Sequence, residues 1–592
     1  MCGIFGYAGR LDDAAGIVLR GLKQLEYRGY DSWGVSVGHG GRAVLEKQTG
    51  KIGEASPVLP ASTVGLGHTR WATHGGVTRQ NAHPHLDCSE RLAIIHNGIV
   101  SNYRELRAAL ARSDHRFLSE TDTEVIAHLV EECLELAPPG PEQLVTATIS
   151  AFRRLHGLNA IAVLDVHTGQ IAAAKSGSPL VLGWSDHGHM LASDYSALLE
   201  HTRRVTFVED QQVVLLTDER CRVFDVDTGR ELIPAISEVQ WEVAATELSG
   251  YPDYMTKEIH EQPDVLRRLA VDRRTDVRAL ADAMRTAGEI FVIGCGSSYH
   301  AALAAQYLLA RLARRRVSVV TASEFAYLRD FVGEGALVVA LSQSGETIDV
   351  IDAVRIARRR GARVAALVNL EGSTLWRLAD LTVPLGAGAE RCVLATKSFT
   401  AKLAVALLTA YELADRTDEG VALLEQAADE VERLLGDHRR DLVRQIAEAI
   451  YRRDHMFVIG RGPSYPLALE AALKVKEVSY IHAEGFAGGD LKHGVIALIE
   501  PGTPCLVLAP RDETYDDVIG GAMQVKARGA TLIGVSPDPH EAFDYHIPVA
   551  DLGPATAIVN APPAQLLGYY LALLRGQDPD KPRNLAKSVT VK

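Results

Sequence analysis

The residue of this chain best placed to do chemistry is its second. Cys2 follows Met1 and precedes Gly3. An initiator methionine is readily removed before a small residue, which would leave a thiol and a free α-amine on one residue. An α-amine titrates at about pH 7.7–8 and a thiol at about 8.5, so the amine can serve as the base that readies the sulfur for attack on an acyl carbon. Three other segments carry groups that such an attack needs. His68-Thr-Arg-Trp-Ala-Thr-His74 contains Arg70, whose guanidinium suits bidentate capture of a free carboxylate. His96-Asn-Gly98 ends an apolar run with an amide donor and an unhindered backbone N–H, two donors able to hold a developing oxyanion. Asp122, in the acidic segment 119–124 ahead of a helical pattern, can bind an ammonium or act as the helix cap.

A second group of candidates lies beyond residue 290. The apolar run 335–342 ends in Leu341-Ser-Gln-Ser-Gly-Glu-Thr347, and a helical pattern begins at about Ile348. The hydroxyls of Ser342, Ser344 and Thr347, with the free N–H groups of a helix start, make an anion site that needs no basic side chain. An ordinary cap would use only one of the three. Gly294-Cys-Gly-Ser-Ser298 is a similar turn, and the lack of a full Gly-x-Gly-x-x-Gly with a downstream ribose acid argues against NAD. Leu473-Lys-Val-Lys-Glu477 and Leu491-Lys-His-Gly494 supply a carboxylate, a histidine and lysines suited to sugar ring opening and proton transfer between adjacent carbons. On residue types alone, a solvated helix face is the simpler reading of Lys474, Lys476 and Glu477.

The elements that must position these groups fall into three textures. Up to about Leu216, short β-like runs (93–96, 160–164, 212–216) alternate with Gly-rich turns and two helical patterns near 14–25 and 123–134, which predicts an α+β domain with antiparallel sheets. The stretch from Cys221 to Thr286, with Trp241, Tyr251, Pro252 and Tyr254 before an amphipathic helix, reads as a structured connector. The remainder repeats itself: Phe291-Val-Ile-Gly-Cys-Gly-Ser-Ser-Tyr299 recurs as Phe457-Val-Ile-Gly-Arg-Gly-Pro-Ser-Tyr465, each followed by an Ala/Leu-rich helix and further apolar runs (336–341 and 364–368; 505–509 and 531–535). Continuous apolar strands alternating with helices predict two tandem α/β domains with parallel sheets. The expected divisions are 2–218, a connector at 219–278, 279–420, 446–582, and a tail at 583–592 whose apolar alternation suggests a docked segment.

A length of 592 residues with 47% apolar content requires several cores. The net charge of -13, spread along the chain, argues against nucleic acid or an anionic membrane as partner. The seven cysteines are scattered, with no CxxC pair or Cys/His cluster at metal spacing, so neither disulfides nor a metal site are expected. No basic segment followed by an apolar core marks a signal peptide, and no uninterrupted apolar run nears the roughly 20 residues of a membrane helix. A cytoplasmic location is the expectation.

Met1-Cys-Gly-Ile-Phe-Gly6, Tyr27-Arg-Gly-Tyr-Asp-Ser32, His68-Thr-Arg-Trp-Ala-Thr-His-Gly75, Asn81-Ala-His-Pro-His85 and His96-Asn-Gly98 resemble the class II glutamine amidotransferases. The resemblance implies an N-terminal-nucleophile glutaminase fold in which Cys2 attacks the glutamine side-chain amide with its own amine as base. It further implies that Asn97 and Gly98 form the oxyanion hole, that Arg70 and Asp122 bind the α-carboxylate and α-amine, that Thr73 and His74 line the pocket, and that Trp71 gates ammonia exit.

The later motifs resemble sugar isomerase (SIS) domains, and the full order, through Leu585-Ala-Lys-Ser-Val-Thr-Val591, resembles the glutamine–fructose-6-phosphate aminotransferase family. By that resemblance Ser298, Ser342, Gln343, Ser344 and Thr347 hold phosphate and sugar hydroxyls, and Lys474 supports charge beside them. Glu477 shuttles a proton between C1 and C2, His493 from a neighbouring subunit assists ring opening, and Lys587 condenses with the C2 carbonyl. Glutamine and fructose 6-phosphate are the implied substrates, ammonia passes internally, the assembly is a homodimer, and no metal or organic cofactor is called for. Trp33, Ala395, Asp490 and Val495 depart from the family pattern and leave open a related ketose phosphate as acceptor. A class II amidotransferase acting on phosphoribosyl pyrophosphate would instead carry a single phosphoribosyl-type domain, and a sugar-phosphate sensor would carry a DNA-binding module or lack the nucleophile.

Overall fold

The computed structural model describes residues 2–238 and 248–590; Trp241 of the expected connector and Val591 of the tail lie outside them. The chain forms two compact units, Met1–Ala245 with Ala586–Lys592, and Thr246–Leu585.

In the first unit, strand Gly3–Gly9 lies inside an eight-stranded sheet between Val64–Arg70 and Gly188–Ala192, antiparallel to both. A seven-stranded sheet holds Leu92–Gly98 against Asn159–Asp165, again antiparallel. Two-residue alternation decides which side each residue serves. From strand Val64–Arg70, Leu66 joins Ile4, Ile95 and Ala162 in the core between the sheets. Gly65 and Gly67 face the other way, where helix Ala14–Leu25 lies so close that a Cβ at Gly67 would come within 2.5 Å of Val18. Helices Glu124–Leu136 and Gln143–Phe152 cover the outer face of the second sheet. The layering is helix, sheet, sheet, helix. This is the expected α+β N-terminal-nucleophile architecture.

The stretch read as a connector, 219–278, is divided between the two units. Cys221–Asp225 and Glu231–Leu232 extend the seven-stranded sheet, with Val223 and Phe224 buried in its cores. Helices Tyr254–His260, Gln262–Asp272 and Arg274–Thr286 bury Met255, Leu266 and Leu280 in the second unit. There Asp580 accepts the N–H groups of Tyr254 and Met255 at 2.9 and 2.7 Å, capping the first of these helices.

The second unit carries two five-stranded parallel sheets built on the repeat, with Glu289–Gly294 second in one and His455–Gly460 second in the other. One continuous core joins Val292 and Val339 of the first sheet to Val458, Leu506 and Ile533 of the second through helices Lys397–Leu413, Tyr465–Ser479 and Ala561–Leu574. By length and composition Gly553–Leu574 (22 residues, mean hydropathy 1.2) could span a bilayer, although Asn560 and Gln565 interrupt its apolar run. Its most apolar window is 78% buried inside this core. The tail has no regular secondary structure over its described residues, yet Ser588 and Thr590 are buried, as a docked segment requires.

Candidate active sites

The thiol is positioned by strand register. Gly3 lies opposite Thr69 and donates its N–H to Thr69 Oγ1 at 3.0 Å, which sets Cys2 beside Arg70 and Trp71. The Trp71 N–H donates to Cys2 Sγ at 3.2 Å. Burial pushes the Cys2 thiol up; the Trp71 N–H and Arg70 oppose it, Asp31 adds to it, and the net direction is up. At neutral pH the sulfur keeps its proton and needs a base.

Asn97 Nδ2 donates to the Cys2 carbonyl at 3.0 Å, while its Oδ1 lies 3.0 Å from His68 Nε2. The same His68 nitrogen lies 3.0 Å from the His96 carbonyl. Two acceptors around one ring nitrogen require that nitrogen to carry the hydrogen, so the Asn97 amide is held with its NH2 towards Cys2. His68 is fully buried and its pKa is pushed down to about 3, chiefly by desolvation, so the ring is neutral. Gly98 has φ +139, and a Cβ there would sit 2.2 Å from the Leu158 carbonyl, so the position admits only glycine.

Arg70 donates to the carbonyls of His74, Gly75 and Gly76 and so shapes the loop after Trp71. On that loop Trp71 and His74 are half-buried and Thr73 is exposed. Asp122 does not cap the helix: Thr123 occupies the cap, and buried Asp122 accepts the Val100 N–H at 2.8 Å, two residues beyond Gly98. No role for His68, Thr69 or Asp31 was legible in the sequence; the Asp31 carboxylate accepts the Ala72 N–H at 2.9 Å. Tyr27 and Arg28 turn out to anchor Asp194, at 2.7 and 3.3 Å. Trp33 pairs with Thr69, on the sheet face opposite to that of His68 and Arg70, so it packs behind the sheet and away from the thiol.

In the second unit, strand Ala336–Ser342 ends in the hydroxyl-rich turn and helix Ile348–Arg359 follows. Ser342 Oγ accepts the Gly345 N–H at 2.9 Å and Ser344 Oγ the Glu346 N–H at 3.2 Å. Thr347 stands at the cap position, but its side chain makes no cap hydrogen bond. Gln343 Oε1 is buried without a partner among the described residues. Gly345 has φ +67, and a Cβ there would lie 2.0 Å from Ser373 Oγ. Ser298 is buried in the first turn of helix Ser297–Ala313.

Two residues along, His300 Nδ1 meets Glu470 Oε2 at 2.8 Å. Glu470 Oε1 lies 3.4 Å from Lys474 Nζ, which donates to Glu477 Oε2 at 2.7 Å. Lys474 is 1% exposed, so the solvated-face reading fails for it, while Lys476 is exposed as that reading expects. Burial works against the charged forms, but the two carboxylates hold Lys474 protonated, and Lys474 with His300 holds Glu470 ionised. His300 and Glu470 went unnoticed in the sequence; the spacing Glu470, Lys474, Glu477 at one helical turn each was the available signal. His493 is exposed in the turn Asp490–His493, and Lys587 lies on the tail that groups with the first unit.

Residues 43–238 match the glutamine amidotransferase domain family, and residues 283–411 and 449–575 each match the SIS domain. Fold and sites thus define a glutamine amidotransferase unit joined to a pair of SIS domains. The chain is 41% identical over 607 residues to the glutamine–fructose-6-phosphate aminotransferase (isomerizing) of Thermococcus kodakarensis, covering 100% of both chains. It is 42% identical over 621 residues to that of Symbiobacterium thermophilum, again with 100% of both covered. The chain belongs to the glutamine–fructose-6-phosphate aminotransferase family. The solved C-terminal domain of glucosamine-fructose-6-phosphate aminotransferase from Francisella tularensis matches 57% of this chain and 99% of its own, at 31% identity and TM-score 0.51. Tagatose-6-phosphate ketose/aldose isomerase from Escherichia coli shares the fold of the same region at 18% identity and TM-score 0.50, over 56% of this chain and 95% of that one.

Proposed function

We propose that this protein transfers the amide nitrogen of glutamine to fructose 6-phosphate and isomerises the product to glucosamine 6-phosphate, releasing glutamate. The observation that carries the glutaminase half is Asn97, held by His68 with its amide nitrogen towards the half-buried Cys2. Cys2 Sγ adds to the side-chain carbonyl carbon of glutamine while its proton passes to the α-amine of Cys2. Asn97 Nδ2 and the Gly98 N–H receive the oxyanion; collapse of the adduct expels ammonia with that proton, and water hydrolyses the thioester to glutamate. Arg70 and Asp122 hold the α-carboxylate and α-amine, Thr73 and His74 complete the pocket, and Trp71 controls where ammonia leaves. An internal route for ammonia keeps it unprotonated and nucleophilic.

At the sugar site, Ser298, Ser342, Gln343, Ser344 and Thr347 bind phosphate and hydroxyls. The unfilled cap role of Thr347 and the unpartnered Gln343 oxygen support this reading. His493, supplied across a homodimer, opens the ring, and its exposure in a turn fits that role. Lys587 condenses with the C2 carbonyl, ammonia displaces it, and Glu477, which accepts a hydrogen bond from Lys474, moves a proton from C1 to C2. The test is to incubate the protein with glutamine and a panel of phosphorylated ketoses and identify products by mass. Glucosamine 6-phosphate from fructose 6-phosphate is expected, lost in Cys2→Ala while conversion of fructose 6-phosphate to glucose 6-phosphate persists. A Cys2→Ala variant that still uses glutamine would end this reading; a different preferred ketose would favour the altered acceptor that Ala395 allows.

A further inference from the structure

A group of four potential ligands stands outside both sites. Cys88 lies in the turn between His85–Leu86 and Leu92–Gly98, His115 follows helix Tyr103–Arg112, and His128 and Glu131 sit one turn apart on helix Glu124–Leu136. Their ligand atoms lie within 4.8 Å of one another. Local spacing in the sequence conceals this, because the fold brings the four together from three separate segments.

Four of the six ligand–ligand distances match a tetrahedral site, and the other two are within 4.8 Å. A tetrahedral zinc with metal–sulfur about 2.3 Å and metal–nitrogen or –oxygen about 2.0–2.1 Å has sulfur–nitrogen edges of about 3.5–3.6 Å and nitrogen–oxygen edges of about 3.3 Å. Cys88 Sγ lies 3.6 Å from His115 Nδ1 and 3.5 Å from His128 Nδ1. Glu131 Oε2 lies 3.1 Å from His115 Nδ1 and 3.4 Å from His128 Nδ1. Glu131 Oε2 is held in place by the Cys88 N–H at 3.2 Å. The outer ring nitrogen of His115 lies 3.6 Å from Glu132 Oε1, too long for a hydrogen bond but within a small side-chain rotation of the carboxylate support that metal-bound histidines generally have. The His115 and His128 rings pack together at 5.0 Å, and Phe117 packs edge-on against His128 at 4.7 Å.

We propose that Cys88, His115, His128 and Glu131 form a site for a zinc-class divalent cation in the glutaminase unit. One sulfur, two imidazoles and one carboxylate suit a borderline metal and fill a tetrahedron, so the site is closed and structural. Binding displaces the thiol proton and ties the Cys88 turn and the His115 segment to helix Glu124–Leu136. That helix begins directly after Asp122 and Thr123, and Thr123 Oγ1 bonds His96 Nδ1 at 3.0 Å, so the cation braces the segment behind Asn97.

The experiment strips the full-length protein with a chelator and titrates it with cobalt(II). One cobalt per chain is expected, with a near-ultraviolet thiolate-to-cobalt band that persists in Cys2→Ala and vanishes in Cys88→Ala. Glu132→Gln is expected to weaken binding about tenfold or more without removing the band. Zinc should raise the melting temperature of the parent protein and of Cys2→Ala but not of Cys88→Ala or His115→Ala. Substoichiometric uptake at micromolar cobalt, or a thiolate band surviving in Cys88→Ala, would overturn the proposal.

Discussion

Asn97 can donate to an oxyanion in only one of its two amide orientations, and His68 selects that one. Asn97→Ala should therefore lower kcat for glutamine hydrolysis by about 10²–10³ with little change in isomerisation of fructose 6-phosphate. His68→Leu removes the selector and should cost a smaller part of that loss, about tenfold, whereas His68→Gln keeps a donor and should recover most of it; steady-state ammonia release measures all three. The same histidine sets a pH dependence with its neighbours. His83 and His85 are pushed well below the ordinary imidazole value, His68 to about 3, and His96 lower than usual, in each case first by burial. Between about pH 3 and 6.5 the unfolded chain therefore binds protons that the folded chain refuses, so this stability is complete above pH 6.5 and is lost on acidification. Each ring contributes a slope of up to about 1.4 kcal/mol per pH unit. Denaturant midpoints measured from pH 7 down to 4.5 should fall steeply, and less steeply in His68→Gln. At this scale the sequence revealed groups whose chemistry is local, such as Cys2 and the Asn97-Gly98 pair. It hid His68, whose role exists only because the two sheets pack face to face and set it against Asn97.

Turns and helix pairs carry the next level of consequence. Gly345 needs its positive φ, and any side chain there meets Ser373 Oγ, so Gly345→Ala should strain the hydroxyl turn by about 1–3 kcal/mol. The expected readout is a KM for fructose 6-phosphate raised at least several-fold while glutamine hydrolysis is unchanged. Helices Ser297–Ala313 and Tyr465–Ser479 are tied through His300, Glu470, Lys474 and Glu477. Glu470→Leu would leave the buried Lys474 ammonium short of a partner and should cost about 3–5 kcal/mol, read as a lower urea midpoint. Elements with their own periodicity and caps were legible. Helix Ala14–Leu25 was expected at its observed bounds, and Asp13 caps it by accepting the Gly16 N–H at 3.2 Å. The division of the connector was not legible, because two-residue strands such as Glu231–Leu232 and Ser237–Glu238 are too short to show a period. Their pairing depends on partners far away in the chain.

For the whole molecule, the Phe291 and Phe457 repeats announced two parallel α/β domains but not that they share one interior. The core that begins at Met255 runs to Ala572 and takes in one face of each sheet, so neither copy closes that face alone, while the opposite faces close over separate cores around Val338 and Val507. Much of the sharing passes through three helices. Lys397–Leu413 is buried along almost its whole length, and Tyr465–Ser479 and Ala561–Leu574 over most of theirs. A helix buried on all sides leaves a large apolar surface in water when its partners are removed. A fragment of residues 248–592 should therefore fold alone and unfold on heating in one transition, with circular dichroism and loss of fructose 6-phosphate binding coinciding. Its halves, 248–436 and 437–592, cut just after Gly436 at the start of helix Asp437–Ile450, should each aggregate or remain unfolded when made separately. Two soluble, monomeric halves, each with its own cooperative melt, would mean that the joint interior contributes little to the stability of either domain.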